Sequence, residues 1–379
     1  MNRKVIGKIC AVALATAAAG SAALAQSGVT IAGRIDVGPQ YIDNGTDKLK
    51  RVDSGTYTSS RLIFRGIEDL GDGLKAGFYM EHRFNADLGA AQSAAKFFNA
   101  GAQVYLSSAT WGSVTLGRQY VPIFWSFLFA DDTGPLRLHG YSAVQSVQRS
   151  AFARVSTTAS PVKAAGSLDT IGGGIYQLGI TSAFEDNLIV YQTPTLGGAS
   201  VRLAAGAAEG APAGSGRVLG ANLEYRGGPF YGSLAYNQKR GTVPAGGSGS
   251  YQTATEALVS GMYDITPKIK VWGNYHPWKL DTVATDFKGH DWMLGASYYF
   301  AQSMLWLNYA AKTPDNCVAC KSKGVGLGYH YFLSRRTELY ASVAEVKNDA
   351  NSGNALNGFA PVVLGNNVRG VAAGIAHTF

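Results

Sequence analysis

Apolar and polar residues alternate along most of this chain, in segments of about ten residues separated by turn-forming residues. Val29, Ile31, Ile35 and Val37 interleave with Thr30, Ala32, Arg34 and Asp36. Ala76, Phe78 and Met80 oppose Lys75, Tyr79, Glu81 and Arg83. A period of two sends one set to each face of a strand, so every such segment is a strand with two unlike faces. Sixteen follow one another: 29–37, 61–68, 74–85, 98–107, 112–120, 187–193, 199–206, 218–225, 230–237, 253–263, 269–275, 291–299, 304–311, 324–332, 338–347 and 367–379. Of these, 253–263 leaves its phase open. Two kinds of connection alternate: tight turns such as Asp69-Leu-Gly-Asp-Gly73 and Arg226-Gly-Gly-Pro229, and longer stretches such as 239–250, 277–289, 313–322 and 348–366.

A soluble all-β sandwich or propeller accommodates many short strands. Two features favour a transmembrane β-barrel. The apolar faces use Ala, Gly, Val and Leu, with aromatics near segment ends such as Tyr298, Tyr299 and Phe300, which suits a thin lipid-facing band edged by an aromatic girdle. The polar faces carry Arg, Lys, Glu and Gln, which suit a water-filled interior. Mean hydropathy is zero, as expected when lipid-facing and water-facing residues alternate. An even strand count lets an antiparallel sheet close on itself. The expected fold is therefore all-β, a sixteen-stranded antiparallel transmembrane barrel over residues 26–379.

Residues 1–25 read as a cleaved signal peptide. Arg3, Lys4 and Lys8 precede an Ala-rich apolar run, and Ala23-Leu24-Ala25 has the small-x-small pattern of a signal peptidase site. An uncleaved anchor is the alternative, since the run sits at the edge of the roughly 20 apolar residues a spanning helix needs. Losing those three cations takes the formal charge from +8 to +5. That excess is mild, and no basic tract with interleaved aromatics points to nucleic acid. Cys317 and Cys320 remain, in Pro314-Asp-Asn-Cys-Val-Ala-Cys-Lys321. In an exported chain the expectation is a disulfide at a loop tip. A redox pair would want a helix N-terminus, and a metal site two further ligands. No metal or cofactor is expected, because His82, His139, His276, His290, His330 and His377 are scattered.

Residues 121–185 break the alternation. A stretch this long without a period is either functional or disordered. It holds the apolar run Ile123-Phe-Trp-Ser-Phe-Leu-Phe129 and the acidic pair Asp131-Asp132, and part of it is expected to form a short helix around 143–155 or, alternatively, to plug the bore.

The two ends of the chain and the segments between carry a resemblance. Ser27-Gly-Val-Thr-Ile-Ala-Gly-Arg-Ile-Asp-Val-Gly38 resembles the first strand of the trimeric, sixteen-stranded general porins of Gram-negative bacteria. Residues 60–76, beginning Ser60-Arg-Leu-Ile-Phe-Arg-Gly66, are similar to their second hairpin. Val114-Thr-Leu-Gly-Arg-Gln119 resembles the strand that enters their constriction loop, and Tyr331-Phe-Leu-Ser-Arg-Arg336 opens a match to their penultimate hairpin. Gly374-Ile-Ala-His-Thr-Phe379 resembles their closing strand with its terminal aromatic.

The resemblance implies a homotrimer in the outer membrane, in contact with its lipids and passing ions and small hydrophilic solutes. It implies recognition of Phe379 by the barrel-assembly machinery, and an inward third extracellular loop corresponding to 121–185. In that family acidic loop residues face a ladder of arginines. Here Arg34, Arg61, Arg65 and Arg83 share the lumen phase of the first three strands, with Glu81 and Asp36 as nearby carboxylates. Asp131 and Asp132 are the candidate counter-charges; as alternatives they cap a turn or act as a glycosidase pair. Arg118 conflicts with its phase, since alternation aims it at lipid together with Val114 and Leu116. A bulge at Gly117 would re-aim it, and a position at the strand end is the alternative. The function expected is a diffusion channel with weak anion preference. A solute-specific channel is the alternative, and an adhesin or enzyme barrel a further one.

Overall fold

The computed structural model describes residues 28–130, 183–207, 216–240, 253–281, 286–315 and 317–379. The signal-peptide reading of 1–25, the helix expected around 143–155, and Asp131 and Asp132 lie outside these residues. The strands are β1 (Gly28–Asp43), β2 in two halves (Lys48–Ser54 and Arg61–Gly71), β3 (Leu74–Asn85), β4 (Gly101–Ser108), β5 (Gly112–Tyr120), β6 (Phe184–Gln192), β7 (Ala199–Gly206) and β8 (Val218–Gly227). They continue as β9 (Phe230–Arg240), β10 (Thr253–Thr266), β11 (Ile269–Asp281), β12 (Phe287–Phe300), β13 (Ser303–Pro314), β14 (Ser322–Phe332), β15 (Thr337–Asn348) and β16 (Val368–Thr378). A helix, α1 (Pro122–Phe129), follows β5, and a two-residue strand, Ala90–Ala91, leans on the end of β3. Each strand pairs antiparallel with its chain neighbour, and β16 pairs with β1, so the sheet is a closed sixteen-stranded barrel.

Closure uses the chain ends. Val37 sits opposite Ile375 and Arg34 opposite Thr378. One step further, Gly33 and Phe379 exchange both backbone hydrogen bonds, at 3.1 and 3.0 Å.

Outside, the alternation is as read. Val29, Ile31, Val104, Leu116, Leu234, Val259, Leu294 and Leu327 are exposed, the correct place for them only if the surroundings are lipid. Next to the short turns Tyr225, Phe230, Tyr263, Tyr298, Phe300, Tyr329 and Tyr331 are exposed and form the girdle. Tyr299 does not join it. Its phase is the inner one, and it packs against the lumen cluster that includes Trp272 and Trp306. The open phase of 253–263 resolves with Ala254, Leu258 and Met262 buried inside and Val259 and Tyr263 outside. Much of the stretch expected as a loop at 277–289 is strand, with Trp278 opposite Gly289 and Lys279 opposite Lys288.

The interior differs more. The polar faces suited a water-filled interior, yet Leu188, Val190, Ala204, Val218, Ala235 and Leu258 make an apolar inner wall from β6 to β10. Ile123, Phe124, Phe127 and Leu128 of α1 cover it. Lower in the barrel Trp306 lies flat over Gly328 of the next strand, where a Cβ would meet the indole at 2.1 Å. Gly328→Val is therefore expected to lower the temperature at which the barrel loses its compact electrophoretic mobility, by an overpacking cost of about 1–3 kcal/mol. An unchanged transition in a heat-modifiability series would contradict this contact.

Candidate functional site: an arginine row and an inward helix

Register places the arginines. Arg34 lies directly opposite Arg61, and Arg61 directly opposite Arg83, so three guanidinium side chains form one row across β1, β2 and β3. Directly opposed like charges destabilise a sheet unless something offsets them. Arg83 donates from Nε to Glu81 Oε1 at 2.8 Å and from Nη2 to the Tyr120 hydroxyl at 2.7 Å. Arg61 Nη1 stands 3.5 Å from the same Glu81 oxygen, and Tyr79 donates its hydroxyl proton to Glu81. Glu81 is thus shared by two arginines and is fully buried. Asp36, expected among the carboxylates offsetting the arginines, turns elsewhere. Arg34 pairs instead with Glu338 of β15, two strands away around the closed seam, a partner that alternation could not reveal.

Arg65 is two same-face positions below the row, beyond Ile63, opposite Thr30 and Tyr79. It has the same inward phase, is exposed, and forms no ion pair among the described residues.

Arg118 is separate. Register shifts between Gly117 and Gln119, two steps on β5 spanning three on β6, so a bulge is present and its extra residue lies on β6. Gly117 takes φ +121°, which an L side chain rarely adopts. Arg118 donates Nε–H to the Asn99 carbonyl at 2.8 Å and Nη1–H to Asp186 at 2.7 Å. Its guanidinium is 5.7 Å from the Phe184 ring centroid, and Arg83 is 4.8 Å from the same ring. Phe184 in turn packs on Tyr120, ring centroids 4.2 Å apart. Tyr120, Phe184 and Glu338 were not expected as site residues. Tyr120 looked like the end of the strand before the aperiodic stretch, Phe184 fell inside that stretch although it opens β6, and the Glu338 contact is remote in sequence.

The apolar run at 123–129 is the helix. Pro122 at its first turn fixes φ for entry, and the run contains no helix breaker. A helix apolar nearly all round has to be buried, and the β6–β10 wall supplies the surface. Ser126, its one polar interior residue, is satisfied by that wall: Asn222 donates to its hydroxyl at 3.2 Å and Ser260 to its carbonyl at 3.1 Å. The helix descends along the wall. Pro122 touches Gly220 near one end of β8, and Phe129 stacks 4.3 Å from Arg226 near the other. Trp125 faces Arg202 at 5.5 Å.

Opposite the arginine row, on the wall beneath α1, His276 lies 3.2 Å from both Glu256 and Asp291 and 5.3 Å from the Phe127 ring. No cluster of three metal-ligating side chains occurs among the described residues. Cys317 and Cys320 are joined at the loop between β13 and β14, Cα atoms 5.6 Å apart.

A closed barrel with an apolar exterior, an aromatic girdle and a charged interior lined on one side by a helix defines an outer-membrane channel. The chain belongs to the Gram-negative porin family, whose sequence pattern matches residues 11–351. It is similar to Outer membrane porin protein 32 of Delftia acidovorans, 31% identical over 97% of this chain and 99% of that protein. Among solved structures it resembles the anion-selective porin from Comamonas acidovorans, with TM-score 0.74 and 27% identity over 93% of this chain and 100% of that one. It also shares its fold with OmpT of Vibrio cholerae in its trimer form, TM-score 0.64 at 15% identity, covering 93% and 99% of the two chains. The protein is a multi-pass barrel of the outer membrane and a passive channel for small hydrophilic solutes; the family is one of channels, not enzymes.

Glu81→Gln removes the carboxylate that two arginines share. Breaking a buried ion pair from one side costs about 3 kcal/mol, so the heat-modifiable transition is expected to fall. The lumen gains positive charge, so any preference for anions should strengthen. A reversal potential equal to wild type would contradict Glu81 as the local counter-charge.

Proposed function

We propose that this channel prefers anions weakly, and that the arginine row sets the preference. The observation that carries the reading is the row itself with Arg65 below it: Arg34, Arg61, Arg65 and Arg83 stand against the carboxylates Glu81 and Glu338. Guanidinium stays charged at every relevant pH, so the local excess is permanent. Similarity to a porin described as anion-selective supports the same sign.

Residues 121–185 act as the constriction loop. The described part supports this, since α1 takes up part of the lumen along β7–β10. Asp131 and Asp132 are the loop's acidic counter-charges in this reading. Arg118, tied to Asp186 beside Phe184, anchors the loop's return rather than lining the narrowest bore. Residues 1–25 are removed on export, Phe379 is recognised during barrel assembly, Cys317 and Cys320 stay oxidised, and the protein works as a homotrimer. N-terminal sequencing, export of a Phe379-deleted chain, free-thiol titration and the mass of the undenatured oligomer check these in turn.

The selectivity test is a planar bilayer under a potassium chloride gradient. The reversal potential should have the sign of chloride preference, and Arg65→Ser should bring it closer to zero while leaving the thermal transition of the barrel unchanged, because Arg65 has no ion pair among the described residues. A cation-preferring wild type would overturn the proposal, as would an Arg65→Ser channel with wild-type selectivity.

A further inference from the structure

Strand β2 is broken in the middle while β1 beside it runs straight through. Arg34 still faces Arg61 and Val37 already faces Ser54, but between them Gly55–Ser60 leaves the sheet. These six residues do not hang in solvent. Tyr57, Thr58, Ser59 and Ser60 are buried, and Tyr57 lies inside the barrel against His330 of β14 and Tyr340 of β15, ring centroids 4.5 and 5.2 Å away. The neighbours of those two residues in the alternation, Tyr329, Tyr331 and Leu339, are exposed on the outer face, so Tyr57 is on the lumen side.

One residue holds this lobe. Asp36 Oδ2 accepts the backbone N–H of Tyr57 at 3.1 Å and of Thr58 at 2.6 Å, and Oδ1 accepts the Tyr340 hydroxyl at 2.6 Å. Its own backbone N–H donates to Ser60 Oγ at 3.0 Å, and its carbonyl accepts from Gly55 at 2.9 Å. Asp36 therefore replaces the ladder bonds that the break forfeits, and it does so with a carboxylate turned inward and fully buried. The lobe is also continuous with the arginine row: Arg61 Nε donates to the Ser59 carbonyl at 3.1 Å.

Its position around the ring completes the picture. The lobe leans over β14, β15 and β1, and α1 lies on β7 to β10, so the two inward elements stand about half a circumference apart. Sixteen strands at ~4.8 Å spacing and ~40° tilt enclose roughly 30 Å. A helix of about 10 Å on one side leaves room that a one-residue-thick lobe on the other narrows appreciably.

We propose that Gly55–Ser60 is a second constriction element, facing α1 across the bore, and that Asp36 is the residue that positions it. The proposal rests on the reading of residues 121–185 as the constriction loop. It concerns the size of the bore, whereas the anion reading concerns its sign.

The experiment is single-channel conductance in planar bilayers, with the largest polyethylene glycol that enters the pore measured alongside. Asp36→Ala should release the lobe and raise both quantities. Asp36→Asn keeps a side-chain oxygen that can accept from Tyr57 and Thr58, so it should keep both near wild type although it removes a charge. Tyr57→Ala removes bulk at the lobe tip without touching the ladder and should raise both; it decides the matter if Asp36→Ala fails to assemble. Wild-type conductance and size limit in Tyr57→Ala would overturn the second constriction. An Asp36→Asn channel as wide as one lacking the lobe would overturn the positioning role of Asp36. A wild type that conducts with cation preference would sink the anion reading and leave this comparison intact.

Discussion

Inside a bilayer no water reaches the backbone, so every peptide N–H and C=O of a spanning sheet has to find a partner in the sheet. That requirement forces closure, and the rest of this molecule depends on it. The bonds between Gly33 and Phe379 and the register from Arg34–Thr378 to Asp43–Arg369 seal the first strand to the last. Once sealed, the sheet has an outside in one solvent and an inside in another. Every side chain is assigned to one of them by the parity of its position. A local fault in the ladder is tolerated only where something inside the barrel can repair it.

Both inward elements obey that condition by opposite chemistry. α1 is apolar and rests on an apolar wall, so its burial is driven by area, and its one polar residue is met by Asn222 and Ser260. The Gly55–Ser60 lobe is polar and has little area to bury apart from Tyr57. It is held by directed bonds to a single carboxylate. The first device tolerates small changes of shape. The second depends on geometry, because a buried amide left without its acceptor costs as much as the bond was worth or more.

The outer face could be read residue by residue because its rule is local: lipid on one side, period two, aromatics beside the short turns. Sixteen strands and their order followed from it. The same rule identified Arg118 as anomalous, and the register shift beside it, whose extra residue lies on β6, is where the structure departs from strict alternation. The inner face was much less legible. Asp36 has the right phase and the right charge to offset an arginine, yet its Oδ1 partner, Tyr340, is 304 positions away, as Glu338 is from Arg34. Contacts across the barrel seam have no signature in a window of ten residues. Nor did Gly55-Thr-Tyr-Thr-Ser-Ser60 look like anything but a loop between strands, when it is a break within one. The run at 123–129 was visible as an oddity, but its meaning required the apolar stripe on β6–β10, whose residues are spread over 70 positions or more and each look like an ordinary strand residue.

Narrowing and charge act together in such a pore. The arginine excess is small, since each of Arg34, Arg61 and Arg83 has a carboxylate close by, and in a wide aqueous bore it would be screened within a Debye length of roughly 8–10 Å. Low-dielectric walls brought close on two sides focus the field of the same charges and expel the water that would screen them. By that logic the two inward elements do more than exclude large solutes: they make a modest charge imbalance felt by every ion that passes. Arg61 embodies the link, since its guanidinium belongs to the row and its Nε–H is bonded to the lobe. On the proposed reading, the lobe that narrows the bore and the charges that set its sign therefore meet in one connected group of residues on β1, β2 and β3.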